Sequence, residues 1–282
     1  MEIIQKIELM QGLSEKWTRD GNTISLVPTM GFLHQGHMQL LKVGREKGDR
    51  LIMSIFVNPI QFGPHEDYGR YPTDTEGDLK KARSAGVDAV FMPTVEEMYH
   101  EGFQSTVTVE EITRYLCGKS RPGHFAGVTT VVAKLFNITK PHLAIFGEKD
   151  YQQLIVIKQM ARDLNMNIDI IGVPTVRERD GLAMSSRNNY LSAEERSSAL
   201  SLKKSLDLAK AMAAKGEKDP AKIKNAVREL ILGHPFTEID YITICDPEKL
   251  TDMEIVDRPC LLALAVRVGK ARLIDNVMVR EN

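Results

Sequence analysis

Thr23-Ile-Ser-Leu-Val-Pro-Thr-Met-Gly-Phe-Leu-His34-Gln-Gly-His37-Met-Gln-Leu-Leu-Lys-Val-Gly-Arg-Glu-Lys47 decides the fold. Thr23 to Val27 is an apolar run that reads as a strand. Met38 to Lys47 is amphipathic at helical spacing. The residues between them, Pro28 to His37, therefore form a strand-to-helix turn. Gly31 and Gly36 allow the backbone to bend tightly and to approach a ligand closely. A helix N-terminus presents unpaired N–H groups and the positive end of a dipole, which suits phosphate. His34 and His37 flank Gly36 there, and imidazoles donate hydrogen bonds to phosphate oxygens. The turn reads as nucleotide-handling.

Three other readings of the turn are weaker. Gly31-x-x-x-x-Gly36 imitates a Walker loop, but His37 and Met38 stand where Lys and Ser/Thr are required. Zinc proteases place two histidines four apart on one helix with a glutamate between, and neither condition holds here. The plainest alternative is two histidines in an ordinary polar turn.

Outward from this turn the chain alternates. Leu51 to Val57 is a strongly apolar run, as in strands buried on both faces of a parallel sheet. Asn58 to Pro72 is a Pro- and Gly-containing loop, Thr73 caps a helix through Ala85, and Val87 to Met92 is a short strand. Thr106–Val109 has strand character. A buried helix over Gly127 to Thr139, a strand over Pro141 to Phe146, a helix over Asp150 to Asn165 and a strand over Ile168 to Val176 follow. This is an α/β pattern, a doubly wound, mostly parallel Rossmann-like sheet. After the polar loop Arg177 to Arg187, Ser192-Ala-Glu-Glu195 is a capping box opening a helix to about Lys215. Asp219 and Pro220 start another helix, and strands are expected over Glu238–Cys245, Leu261–Val268 and Ala271–Val279. Two domains are expected, 1–176 and a smaller α+β domain, 177–282.

Composition sets the class. The 282 residues are 43% hydrophobic and 27% charged with a net charge of −1, an ordinary globular chain with no basic face for nucleic acid. Cys117, Cys245 and Cys260 are too few and too scattered for a disulfide framework or zinc ribbon, which indicates a reducing compartment. The N-terminus lacks the pattern of a signal peptide, and no apolar stretch is long enough to span a bilayer. A cytoplasmic protein without membrane or nucleic-acid partners is expected.

On this map the chemistry-bearing blocks follow strands. His34 and His37 follow the first, Asn58 and Gln61 the second, Gly147 to Gln153 the strand ending at Phe146, and Val176 to Arg187 the last. Open α/β sheets bind ligands at that carboxyl edge. Lys149 stands near a helix start and reads either as a phosphate ligand or as a solvated helix-end lysine. Asp150 is a plausible N-cap. Gln61 and Gln153 carry amides able to donate to a carboxylate and accept from a hydroxyl. Asp74, Glu76 and Asp78 are acidic residues of a helix first turn or Mg²⁺ ligands, so no metal ligand is named.

Pro28 to His37 resembles the signature of the pantoate–β-alanine ligases, in the HIGH-type nucleotidyl-transferase superfamily. The resemblance extends through Phe56-Val-Asn-Pro-Ile-Gln61-Phe, Arg121-Pro-Gly-His124-Phe, Phe146-Gly-Glu-Lys-Asp-Tyr-Gln-Gln153 and Met184-Ser-Ser-Arg-Asn188, covering nearly the whole chain in the family's order. It implies ATP-dependent condensation of pantoate with β-alanine through a pantoyl adenylate, with Mg²⁺ on the phosphates. It implies His34, His37 and Lys149 as catalytic residues. ATP contacts fall on Met30, Gly31, Phe32, Leu33, His34, Gln35, Gly36, His37, Gly147, Glu148, Lys149, Asp150, Val176, Met184, Ser185, Ser186 and Arg187. Substrate contacts fall on Gln61 and Gln153, with Asn58 close by. Arg121 and His124 are either substrate contacts or structural loop residues. Met184 to Arg187 resembles a degenerate Lys-Met-Ser-Lys-Ser loop, and the C-terminal domain is expected to close over ATP. A homodimer is also implied, with the apolar runs near 107–116 either interface or core. The alternatives are a nucleotidyl-transferase of another substrate and a non-catalytic ATP-binding module.

Overall fold

The computed structural model describes residues 1–64 and 66–280. In chain order it forms β1 (Glu2–Ile4), α1 (Ile7–Arg19), β2 (Ile24–Thr29), α2 (Gln35–Lys47), β3 (Arg50–Ile55), α3 (Thr75–Ser84), β4 (Ala89–Phe91), α4 (Val95–Met98) and α5 (Leu116–Ser120). Then follow α6 (His124–Thr139), β5 (Leu143–Gly147), α7 (Tyr151–Asp163), β6 (Asp169–Val173), α8 (Ala193–Ala214), α9 (Pro220–Leu232), β7 (Thr237–Cys245), β8 (Cys260–Val268) and β9 (Ala271–Arg280). The backbone falls into two compact units. The first comprises Met1–Glu110, Arg121–Glu148 and Gln153–Pro174, and the second Glu111–Ser120, Lys149–Gln152 and Thr175 onward.

The first unit is built on a wholly parallel sheet in the order β1-β4-β3-β2-β5-β6. Beyond the edge strand β1, chain order reverses between β2 and β5, the switch point of a doubly wound sheet. Pro28 helps to open it. β2 pairs with β3 through Thr29, but with β5 only at Ser25 and Leu26. Proline, with no N–H to give a ladder, thus lies past the end of the β5 pairing. Val27, Leu51, Met53, Val90 and Ile145 of the sheet pack with Leu41 of α2 and Ala82 into one core cluster.

The expected α/β architecture is the observed one, with differences at particular elements. α3 is capped by Asp74, whose carboxylate accepts from the Gly77 N–H at 3.0 Å, rather than by Thr73. α6 begins at His124, three residues early, and α7 begins at Tyr151 after a 3-10 turn, Glu148–Asp150. No strand forms at Thr106–Val109. There the Val107 N–H donates to Thr130 Oγ1 at 3.0 Å and its carbonyl accepts from Thr129 Oγ1 at 2.6 Å. Side chains of α6 take the place of a neighbouring strand. The sequence reading omits β1 and α1. The latter buries Met10, Ser14 and Trp17 on one face.

The second unit carries an antiparallel sheet, β7-β8-β9. Leu202, Leu206, Ile223 and Val227 of α8 and α9 pack with Ile244, Leu262, Leu264 and Val266. Both expected helix starts form. Ser192 and Glu195 exchange capping-box bonds of 3.2 and 2.8 Å, and Asp219 accepts from Ala221 N–H at 2.8 Å with Pro220 at the first helical position. β9 also reaches the two earlier excursions. Arg272 donates to Ser120 Oγ at 3.2 Å and Asn276 to the Lys149 carbonyl at 2.9 Å. Gln152 ties the excursions together, donating to the carbonyls of Ile112 (2.9 Å) and Tyr115 (2.8 Å). Ile112 and Leu116, from the apolar run near 107–116, are buried within the chain as core.

Candidate active site

The turn after β2 is fixed before any ligand arrives. Gly31 has φ +82°, and an added Cβ would lie 3.0 Å from Asp78 Oδ2 and 3.1 Å from Ile55 Cγ2. Phe32 follows at φ +52°, a left-handed conformation that costs a non-glycine residue roughly 1–2 kcal/mol. Asp78, buried in α3, offsets that cost by accepting the N–H groups of Phe32 and Leu33, each at 2.7 Å. Lys81, one turn on, donates to the Leu33 carbonyl at 2.8 Å. Asp78 and Asp74 therefore serve the backbone. Among the described residues no group of three or more His, Cys, Asp or Glu side chains could hold a metal ion.

His34 is the N-cap of α2, and the two histidines form a capping box. His34 Nδ1 accepts from the Gly36 N–H at 3.1 Å, and His37 Nδ1 accepts from the His34 N–H at 3.2 Å. The rings stack at 4.0 Å with 28° between their planes. A nitrogen that accepts carries no proton, so each neutral ring holds its proton on Nε2. This revises the sequence expectation. Two of the backbone donors at the helix end are engaged by the cap, and the donors that the histidines themselves present are the paired Nε2–H.

Gln61 is oriented by a short hydrogen-bond chain that runs through the buried Asn58 amide. The Tyr99 hydroxyl donates to Asn58 Oδ1 at 2.7 Å. Asn58 Nδ2 donates to Gln61 Oε1 at 3.0 Å and to the Gly127 carbonyl at 3.1 Å. With its oxygen accepting, Gln61 turns its Nε2 donor towards Met30, 3.3 Å from Sδ. Asn58 is only 1% exposed, so its part is to set the Gln61 amide. Sequence reasoning missed Tyr99, and an isolated tyrosine 41 residues from Asn58 gives no signal that could have found it.

Arg121 and His124 brace the same residue. His124 Nδ1 meets the Gln61 carbonyl at 2.9 Å, which requires a proton on Nδ1. Its Nε2 then accepts from Arg121 Nη1 at 2.9 Å. Arg121 also grips Glu66 with two bonds of 2.6 and 2.5 Å. Burial raises the Glu66 carboxyl, but the guanidinium more than offsets this and holds it down at about 2. Gly147 ends β5 at the switch point, with Glu148 directly after it, and Gln153 lies in the first turn of α7.

In the second unit Lys149 is mostly buried, its Nζ 3.9 Å from Asp150 Oδ2. Val176 to Met184 forms a tight hairpin. The Met184 N–H donates to the Val176 carbonyl at 3.0 Å, and Arg177 bridges Ala183. Ser185 then caps the 3-10 turn Ser186–Tyr190, accepting from the Arg187 N–H at 3.3 Å. Asn188 holds that turn to the hairpin through Glu178 (2.6 Å) and the Ala183 carbonyl (3.0 Å).

Residues 2–278 match the Pantoate-beta-alanine ligase family model. The pantothenate synthetase of Caldicellulosiruptor bescii is 55% identical over 99% of both chains, and that of Moorella thermoacetica 54% identical over the whole of both. The crystal structure of pantothenate synthetase from Thermus thermophilus superposes with a TM-score of 0.94 at 43% identity, covering both chains completely. A pantoate–β-alanine ligase from Francisella tularensis, solved with β-γ ATP and β-alanine, gives 0.81 at 33% identity over 100% of this chain and 99% of that one. Sequence and fold thus match over the full length, and the chain belongs to the pantoate–β-alanine ligase family.

Proposed function

We infer that the chain condenses pantoate with β-alanine, consuming ATP and releasing AMP and pyrophosphate. The observation that carries the reading is the pair of Nε2–H donors at the N-terminus of α2, held by a cap that fixes both tautomers. The pantoate carboxylate attacks the α-phosphorus and pyrophosphate leaves, and the β-alanine amine then attacks the carbonyl of the acyl adenylate and displaces AMP. Negative charge grows on phosphate oxygens in the first step, where preorganised donors have most effect. We assign that role to His34 and His37, with Lys149 supplying a cation. We place the nucleotide contacts on residues 30–37 and 147–150, with Val176, Met184, Ser185, Ser186 and Arg187. The Gln61 Nε2 donor suits the carboxylate or hydroxyl of pantoate, and Gln153 adds a second amide. Asn58, Arg121 and His124 act through Gln61. Mg²⁺ enters on the ATP phosphates as part of the substrate, keeping most of its water ligands.

A cytoplasmic homodimer is part of the same proposal. Its three cysteines are buried and not joined in disulfides, which suits a reducing compartment. No helix among the described residues is long and apolar enough to cross a membrane. The dimer rests on the family resemblance. Sedimentation should give twice the 31.6 kDa chain mass, and a clean monomer would defeat it.

The activity test is turnover with ATP, pantoate and β-alanine together. AMP should appear only with all three present. Turnover indifferent to β-alanine would point to a nucleotidyl-transferase that leaves AMP on its product, and nucleotide binding without turnover to a non-catalytic module.

A further inference from the structure

We propose that β9 is a positioning strand that holds two phosphate-handling segments, Lys149 and Met184 to Arg187, in register with each other. Neighbouring residues of the strand do the work, Asn276 for Lys149 and Asp275 for the loop. The inference rests on the functional reading above and adds two positioning residues to it.

Lys149 is the middle residue of a three-residue 3-10 turn, a form with few internal hydrogen bonds of its own. Asn276 Nδ2 donates to the Lys149 carbonyl at 2.9 Å, fixing the peptide from which the lysine side chain departs. One residue earlier, Asp275 is 3% exposed and holds Arg177 through a two-pronged pair of 2.7 and 2.9 Å. Arg177 Nη1 also donates to the Gly181 carbonyl at 3.1 Å, so the pair fixes both limbs of the hairpin whose end leads into Ser185.

Successive residues of a strand point to opposite faces, so a single step along β9 reaches both segments. The two anchors are also joined directly, since the Asn276 N–H donates to Asp275 Oδ1 at 2.8 Å. The strand itself is fixed by its pairing with β8, with Asp275 opposite Leu264 and Asn276 opposite Ala263. A buried ion pair adds little net stability over well-packed apolar residues, so its use here fits a geometric purpose better than an energetic one. Every group in the network belongs to the second unit.

The test is a double-mutant cycle on Asn276 and Lys149, read by pantoate-dependent exchange of labelled pyrophosphate into ATP. Asn276→Ala removes the donor, and a displaced lysine should slow exchange by ~10- to 100-fold, leaving the KM for pantoate and the melting temperature near those of the unsubstituted chain. If Asn276 acts through Lys149, the same substitution in a Lys149→Ala background should change the rate by less than about 3-fold, because groups acting as a unit are not additive. Asn276→Asp keeps the size but cannot donate to a carbonyl, and should behave like the alanine variant. If Lys149→Ala is too slow to follow, the affinity for a non-hydrolysable ATP analogue gives the same cycle. Equal losses in both backgrounds, or normal exchange in Asn276→Ala, overturn the proposal alone. Absence of exchange in the unsubstituted chain overturns the functional reading, and this proposal with it.

Discussion

Gly127→Ala should leave the protein folded and impair its use of pantoate. Gly127 lies in the first turn of α6, against the backbone that carries Gln61. An added Cβ would fall 2.5 Å from the Ile60 carbonyl oxygen, 2.6 Å from Gln61 Cα and 2.7 Å from Gln61 N. Carbon contacts settle near ~3.5–4.0 Å, so α6 and the Gln61 turn must part by on the order of 1 Å. The fold tolerates this. Overpacking costs about 1–3 kcal/mol, and alanine's helix preference over glycine returns about 1, leaving a small loss against a typical stability of about 5–15 kcal/mol. Catalysis should tolerate it less. Asn58 bonds both the Gly127 carbonyl and the Gln61 amide, so the shift reaches the amide directly. A misplacement of about 1 Å can cost ~100-fold in rate. Calorimetry paired with kcat/KM for pantoate reads both sides. A loss below about 3-fold, or inactivity explained by unfolding, would refute the reasoning.

Three further expectations concern the same unit. His34→Asn retains an N-cap acceptor but removes the Nε2–H, so the melting temperature should hold while adenylation falls by ~100- to 1,000-fold, and near-normal turnover would exclude the donor role. Imidazole ¹⁵N spectra should show protonated Nε2 for His34 and His37 but protonated Nδ1 for His124, and the reverse pattern would contradict the hydrogen-bond assignment. The Glu66 carboxyl sits at about 2 in the fold against an ordinary 4.5, so its pairing with Arg121 stabilises fully above about 4.5 and is lost as pH falls towards 2. Glu66→Gln should therefore melt below the unsubstituted protein at pH 7, with the gap narrowing in acid. A gap that widens in acid would reverse the sign of that linkage.

The parallel strands and their carboxyl edge are legible because strands buried on both faces read as strongly apolar runs. Leu51 to Val57 and Pro141 to Phe146 are of that kind. The capping box at Ser192 and the Asp-Pro start at Asp219 are local signals, and both hold. What the residues conceal is non-local. Thr106–Val109 has strand composition, yet the backbone of Val107 pairs with threonines of a distant helix. Asp78 reads as a first-turn carboxylate or a metal ligand, but its partners are two peptide groups 45 and 46 positions away. The histidine turn reads from sequence as nucleotide-handling, but not as a self-capping pair. That follows only from which ring nitrogen accepts.

The central claim is that pantoate attacks ATP before β-alanine takes part. The most direct measurement is exchange of labelled pyrophosphate into ATP with enzyme and pantoate alone, since a bound adenylate and pyrophosphate can run backwards before any amine arrives. Exchange should depend on pantoate, should disappear in His37→Ala and should weaken in Gln61→Ala and Gln153→Ala. No exchange, ADP formation in its place, or exchange indifferent to pantoate would contradict the account.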